Sequence, residues 1–127
     1  MVVVIAGVLL VAVGCGSQGA TEYTLVSNVS EAVAPGDCVP VEGPYRIPSG
    51  ASMDFSIVDI DDTDDMDVSV IDDAAGCSFA DGYGGILNTA SVNGTTGRVP
   101  AGNYDFVVHC NNIFSNCLFS LTWTATY

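Results

Sequence analysis

The sequence predicts an all-β domain, a small antiparallel β-sandwich or jelly roll, on three observations. Apolar residues recur at period two in several short segments, turn residues separate those segments, and no helical period appears after the first hydrophobic stretch. Length sets the scale: 127 residues leave room for one domain of about a hundred residues around one core.

The most regular segment is the last. In "CLFSLTWTATY" the positions Cys117, Phe119, Leu121, Trp123, Ala125 and Tyr127 are apolar or aromatic, and Ser120, Thr122, Thr124 and Thr126 make the other face. Upstream, "NYDFVVHC" places Tyr104, Phe106, Val108 and Cys110 on one face and Asp105, Val107 and His109 on the other, and "NNIFSN" links the two strands. With Cys110 set opposite Cys117, the pairs Val108 with Phe119, Phe106 with Leu121 and Tyr104 with Trp123 all fall on one apolar face. Directly opposed antiparallel residues have Cα atoms about 4.5 to 5.5 Å apart, a separation that a disulfide tolerates. This register predicts a Cys110 to Cys117 bridge and leaves Cys38 to Cys77, one of three pairings that four cysteines allow.

The middle of the chain continues in the same way. "SMDFSIVDI" alternates with Met53, Phe55 and Ile57 on one side, "MDVSVI" with Met66, Val68 and Val70, and "DDTDD" lies between them as a hairpin turn. Asn93-Gly94 is a tight-hairpin signal, because both central residues of such a turn take positive φ. Pro100 to Asn103 reads as a turn into the Tyr104 strand.

The N-terminus bears on compartment. "MVVVIAGVLLVAVGCGSQGA" has about fourteen apolar or small residues before Cys15, long enough for an export signal and short of the roughly twenty that span a bilayer as a helix. The residues "VAVGC" resemble the bacterial lipobox, in which a small residue precedes a cysteine that is lipidated and becomes the mature N-terminus. Ala12 stands where an aliphatic residue is usual, and no Lys or Arg precedes the hydrophobic run. The resemblance implies a signal peptide over 1–14, lipidation at Cys15, a polar tether over 15–21 and the sandwich over 22–127. The alternative is a hydrophobic first strand or buried helix carrying a core cysteine. With Cys15 lipidated, Cys38, Cys77, Cys110 and Cys117 remain, an even set suited to an oxidising space.

"DDMDVSVIDD", "VPAGNYDFVVHC" and the terminal "CLFSLTWTATY" together resemble the pre-peptidase C-terminal type of bacterial secreted β-sandwich, over roughly residues 50–127. The resemblance implies an accessory domain. It implicates Asp65 and Asp67 in calcium binding, or binding of an extracellular polymer, as in some members of that family.

Charge narrows the partners. Fifteen carboxylates face two cations, Arg46 and Arg98, for a formal net charge of −13, so nucleic acid and anionic lipid are repelled. Nine of the acids lie between Asp54 and Asp73. Read as a calcium loop from Asp59, Asp61 and Thr63 fall in place, but Asp64 replaces the required glycine and Val70 the required glutamate. A looser set of Asp61, Asp62, Asp64, Asp65 and Asp67 remains as a weak calcium site, since calcium accepts about six to eight oxygens in flexible geometry. The competing reading is a solvated turn that keeps the domain soluble. No motif asks for another cofactor.

Catalytic signals are thin. His109 shares a strand face with Asp105, and Ser120 lies on the partner strand, but no nucleophile elbow or oxyanion loop accompanies them. No Cys-x-x-Cys pair suggests zinc. The sequence therefore predicts an envelope-anchored, acidic, disulfide-bonded lipoprotein, at the cell surface or facing the periplasm. It is held in the membrane through Cys15 and binds a protein or polysaccharide or plays a structural part. The alternative is a hydrolase or the accessory domain of a secreted hydrolase system.

Overall fold

A computed structural model of the chain describes residues 21–127, in which eight strands form two antiparallel four-stranded sheets. The strands are β1 (Glu22–Val33), β2 (Cys38–Ile47), β3 (Ala51–Asp59), β4 (Met66–Asp72), β5 (Tyr83–Thr89), β6 (Val92–Val99), β7 (Gly102–Cys110) and β8 (Cys117–Thr126). One sheet runs β1-β8-β3-β6 and the other β2-β7-β4-β5. Every connection except β4 to β5 crosses from one sheet to the other, as in a jelly roll. The predicted signal segment over 1–14, the lipidation site Cys15 and nearly all of the tether lie outside the described residues.

The core is built from the alternating positions. Met53, Phe55 and Ile57 of β3 and Phe119, Leu121, Trp123 and Ala125 of β8 face Met66, Val68 and Val70 of β4 and Tyr104, Phe106 and Val108 of β7. The Phe106 ring meets Trp123 edge-on at 5.7 Å and Phe55 at 5.0 Å between centroids, so aromatic contacts tie the sheets together. Tyr104 is buried, and its hydroxyl donates to the Pro100 carbonyl at 2.7 Å, which fixes the turn into β7.

Both predicted disulfides are present, but the strand pairing behind one of them is corrected. β8 lies between β1 and β3, and β7 lies between β2 and β4, so β7 and β8 are not neighbours in a sheet. Period two reports which face of a strand is buried. Two strands facing one another across a core carry the same pattern as two strands side by side. The Cys110–Cys117 bridge, with Cα atoms 5.8 Å apart, therefore joins the two sheets at their rim. For the same reason the segment after Asp59 is a crossover between sheets and not a hairpin turn.

Asn93-Gly94 is corrected too. It lies inside β6, opposite Ser56 and Phe55, and the turn falls earlier, between β5 and β6. A Cβ on Gly94 would collide with the Phe55 ring, so the glycine serves a close approach and not a turn.

The second bridge, Cys38–Cys77, closes 39 residues with Cα atoms 6.4 Å apart. It pins the β4–β5 connection, which contains two 3-10 turns at Asp73–Ala75 and Phe79–Asp81, across the outer face of the β2-β7-β4-β5 sheet. Ser69, Ile71, Asp105 and Val107 are buried on that outer side. Gly82 sits so close to Ser69 and Ile71 that a Cβ would fall 3.2 Å from Ile71 Cγ1. The domain therefore has a partial third layer that alternation alone did not announce.

Candidate functional site

Four connections meet at one end of the sandwich: β1–β2, β3–β4, β5–β6 and β7–β8. The acidic stretch is one of them, and the jelly-roll topology sets it beside the disulfide-tied β7–β8 loop. Asp59 continues the inward phase of Met53, Phe55 and Ile57, and with Asp64 it is buried. The Asp59 carboxylate accepts from the Asp61 amide at 3.3 Å and the Asp64 amide at 3.0 Å. The Asp64 carboxylate accepts from Asn112 Nδ2 at 2.8 Å and from the Leu118 amide at 2.9 Å, lacing the crossover to the start of β8. Asn112 Oδ1 in turn accepts from the Asp65 amide at 3.0 Å.

Asp67 is occupied as well. It accepts from the Asn88 amide at 2.9 Å and from Asn111 Nδ2 at 3.0 Å, and its second oxygen lies 3.2 Å from His109 Nδ1. Asn111 Nδ2 also reaches Asp65 Oδ1 at 3.3 Å. Burial pushes the Asp64 and Asp67 carboxyls up, but amide donors outweigh it and hold both below the usual carboxylate range; Asp59 adds to them at Asp64, and His109 at Asp67. Asp59 moves the other way, raised by burial and by the neighbouring Asp64 carboxyl.

Of the five acids predicted as calcium ligands, Asp64 and Asp67 thus serve as acceptors for protein N–H groups, while Asp61, Asp62 and Asp65 are exposed. Among the described residues no group of three or more His, Cys, Asp or Glu stands in metal-holding geometry. His109 faces Asp67 and not Asp105, which lies further along β7 beside the β4–β5 layer, and Ser120 belongs to the other sheet. His109, Asp105 and Ser120 are therefore not brought together.

What sequence reasoning missed is the tip. Phe114 is 94% exposed and Ile113 77%, with Ile60 54% exposed on the adjoining crossover. The loop that carries them is tied down by Cys110–Cys117 at its base and by the Asn111 and Asn112 side-chain amides on the acidic stretch. An apolar pair between turn-forming residues was the available signal. A second feature, a shallow groove of about 460 Å³, opens on the outer face of the β1-β8-β3-β6 sheet and is lined mainly by Asp54, Ser56, Asn93, Thr95, Thr122 and Thr124.

No family model matches the chain, and no curated protein matches it significantly. Among solved structures it is similar to a chain of the cyanophage Pam1 capsid asymmetric unit, at 21% identity over 92% of this chain and 91% of that one, with a TM-score of 0.43. It is also similar to a chain of the acid-stable capsid of Helicobacter pylori bacteriophage KHP30, at 14% identity over 83% of this chain and 91% of that one, with a TM-score of 0.33.

Proposed function

We propose that the chain is an exported, non-catalytic binding module, tethered to a cell envelope through a lipid on Cys15, that contacts its partner with the Ile113–Phe114 tip. One observation carries this reading: a phenylalanine 94% exposed on a loop fixed by a disulfide and by side-chain amides. Exposed apolar side chains on a preorganised loop lose little conformational entropy on binding, which suits an anchor for a partner's pocket. The geometry of the ends supports the tether. Thr21 and Tyr127 exchange backbone hydrogen bonds at 2.6 and 3.0 Å, so the domain begins where β8 ends. The tip lies where β8 starts, and a strand of 10 residues spans about 33 Å. A lipid on the N-terminal side thus leaves the tip pointing away from the membrane. Two disulfides fit the oxidising side of an envelope.

The test has two arms. Cys15→Ala should abolish fatty-acid incorporation and envelope retention in a bacterial host; unchanged labelling would remove the anchor. Ile113→Ser with Phe114→Ser should leave the melting temperature and the fatty-acid labelling unchanged and abolish photo-crosslinking from the loop to any partner in intact envelopes. Equal crosslinking by that variant would remove the tip.

A further inference from the structure

β1 and β2 are the edge strands of different sheets, each hydrogen-bonded to a neighbour on one side only, and they line the same open side of the sandwich. Glu31 of β1 stands opposite Phe119, and Glu42 of β2 stands opposite Phe106. Cross-strand partners share a face, and both phenylalanines are fully buried, so both glutamates sit in the inward phase of their strands. Their carboxyls lie within hydrogen-bonding reach of one another across the seam. Glu31 Oε2 is buried without a partner among protein donors, and the Tyr45 hydroxyl reaches Glu42 Oε1 at 3.4 Å.

No cation relieves the pair. Among the described residues the one contact of salt-bridge geometry is His109 with Asp67, away from this pair, and Arg46 next to Tyr45 is exposed and joins neither carboxylate. The groups that face the pair from the strands behind are the apolar Phe119 of β8 and Phe106 of β7, and the Tyr45 ring meets Trp123 edge-on at 5.4 Å. Two carboxylates in this setting cannot both ionise without repulsion, whereas one proton shared between them makes a strong, charge-assisted hydrogen bond.

We infer that Glu31 and Glu42 form a proton-held latch that closes the sandwich along its β1–β2 seam, and that loss of the shared proton opens this edge. Burial, then the hydrogen bond and the charge of Glu42, push Glu31 up to about 8, which puts the opening on the alkaline side of neutrality. Burial and the same carboxylates also raise Tyr45, so the hydroxyl stays a donor to Glu42 while the latch opens. β1 is suited to move. Its pairing to β8 is broken by two register shifts between Thr24 and Val29, and Asn28 between them takes a φ of 51°.

The experiment is hydrogen exchange by mass spectrometry on the full chain between pH 6 and 9.5, with rates corrected for intrinsic base catalysis. Protection of the β1 and β2 peptides should fall about tenfold or more through pH 8 while β4 and β7 keep theirs. Glu31→Gln places a permanent amide donor beside Glu42, so its seam protection should be flat with pH. Glu42→Gln gives the same readout from the other side should the first variant fold poorly. A flat profile in the wild type, an equal fall in the glutamine variants, or a loss spread evenly over all strands would each overturn the latch.

Discussion

The acidic end of the sandwich and the β1–β2 seam handle negative charge in opposite ways. At the acidic end the carboxylates are many but served: the Asp64 and Asp67 oxygens receive N–H groups from Asn112, Leu118, Asn88 and Asn111. At the seam there are only Glu31 and Glu42, and the buried Glu31 Oε2 receives no N–H group. The density of acids along a chain is thus a poor guide to electrostatic strain. What matters is whether backbone and amide donors converge on them, and that depends on which loops the topology places together.

The sharpest way to break the contrast is to strip a served carboxylate. Asp64→Ala leaves the Leu118 amide and the Asn112 side chain without their acceptor in a buried place, and should cost about 2 to 3 kcal/mol in denaturant unfolding. A loss below about 0.5 kcal/mol would mean that these contacts are incidental.

A smaller, pH-dependent effect comes from the raised groups. Glu31 binds its proton at about 8 in the fold against 4.5 ordinarily, and Asp105, raised by burial and then by Asp73 and Asp72, at about 6 against 3.8. Between those values the folded chain holds more protons than the unfolded one, so stability falls as pH rises from 4.5 toward 8. Asp64 and Asp67, held low, contribute stability above their ordinary value of 3.8 that is lost on further acidification. The melting temperature should therefore peak near about pH 4 and decline by pH 8, with a loss of roughly 1 to 2 kcal/mol once solvent screening of these partly exposed groups is allowed for. A melt series that rises from pH 5 to 8 would contradict the assignment of both raised groups.

Glu42→Gln sharpens the same comparison. It removes one of two competing charges and keeps a polar partner for Tyr45, so it should stabilise the protein at pH 8 by about 1 kcal/mol and change little at pH 5. The smallest effect belongs to the exposed acids. Asp61→Asn with Asp62→Asn should alter stability by less than about 0.5 kcal/mol. The parent should respond equally to millimolar calcium and to sodium chloride of matched ionic strength. A calcium-specific rise in melting temperature that the double variant lacks would establish the cation site.

Much of the fold was legible because burial follows period two. The inward residues of β3, β4, β7 and β8 could be read directly, whereas Cys110 with Cys117 was reached through a β7–β8 register that the fold does not contain and holds because a short loop keeps the two strand ends close. Strand neighbours were not legible, since alternation carries no information about which sheet a strand joins. The buried outer face of β4 and β7 was hidden for a related reason: Ser69 and Asp105 look like solvent positions until the Cys38–Cys77 bridge draws a non-adjacent segment over them. In the candidate site, Asp59 shares the phase of Phe55 and Ile57 and is buried with them, although in sequence it reads as the first position of a calcium loop. The donors that make Asp64 tolerable come from residues 112 and 118, far along the chain, and only the fold connects them.

The rim disulfide has a mechanical side. Were the domain held at its N-terminal end and pulled at its tip, as proposed, load would run along its strands, so the hydrogen bonds between β1 and β8 would be sheared together instead of being peeled one at a time. A pull on the proposed contact loop would reach β7 and β8 through the loop backbone in either redox state, and Cys110–Cys117 takes the slack out of that path. Reduction of this single bond should let the loop extend before the sheets bear tension, converting a stiff connection into a yielding one.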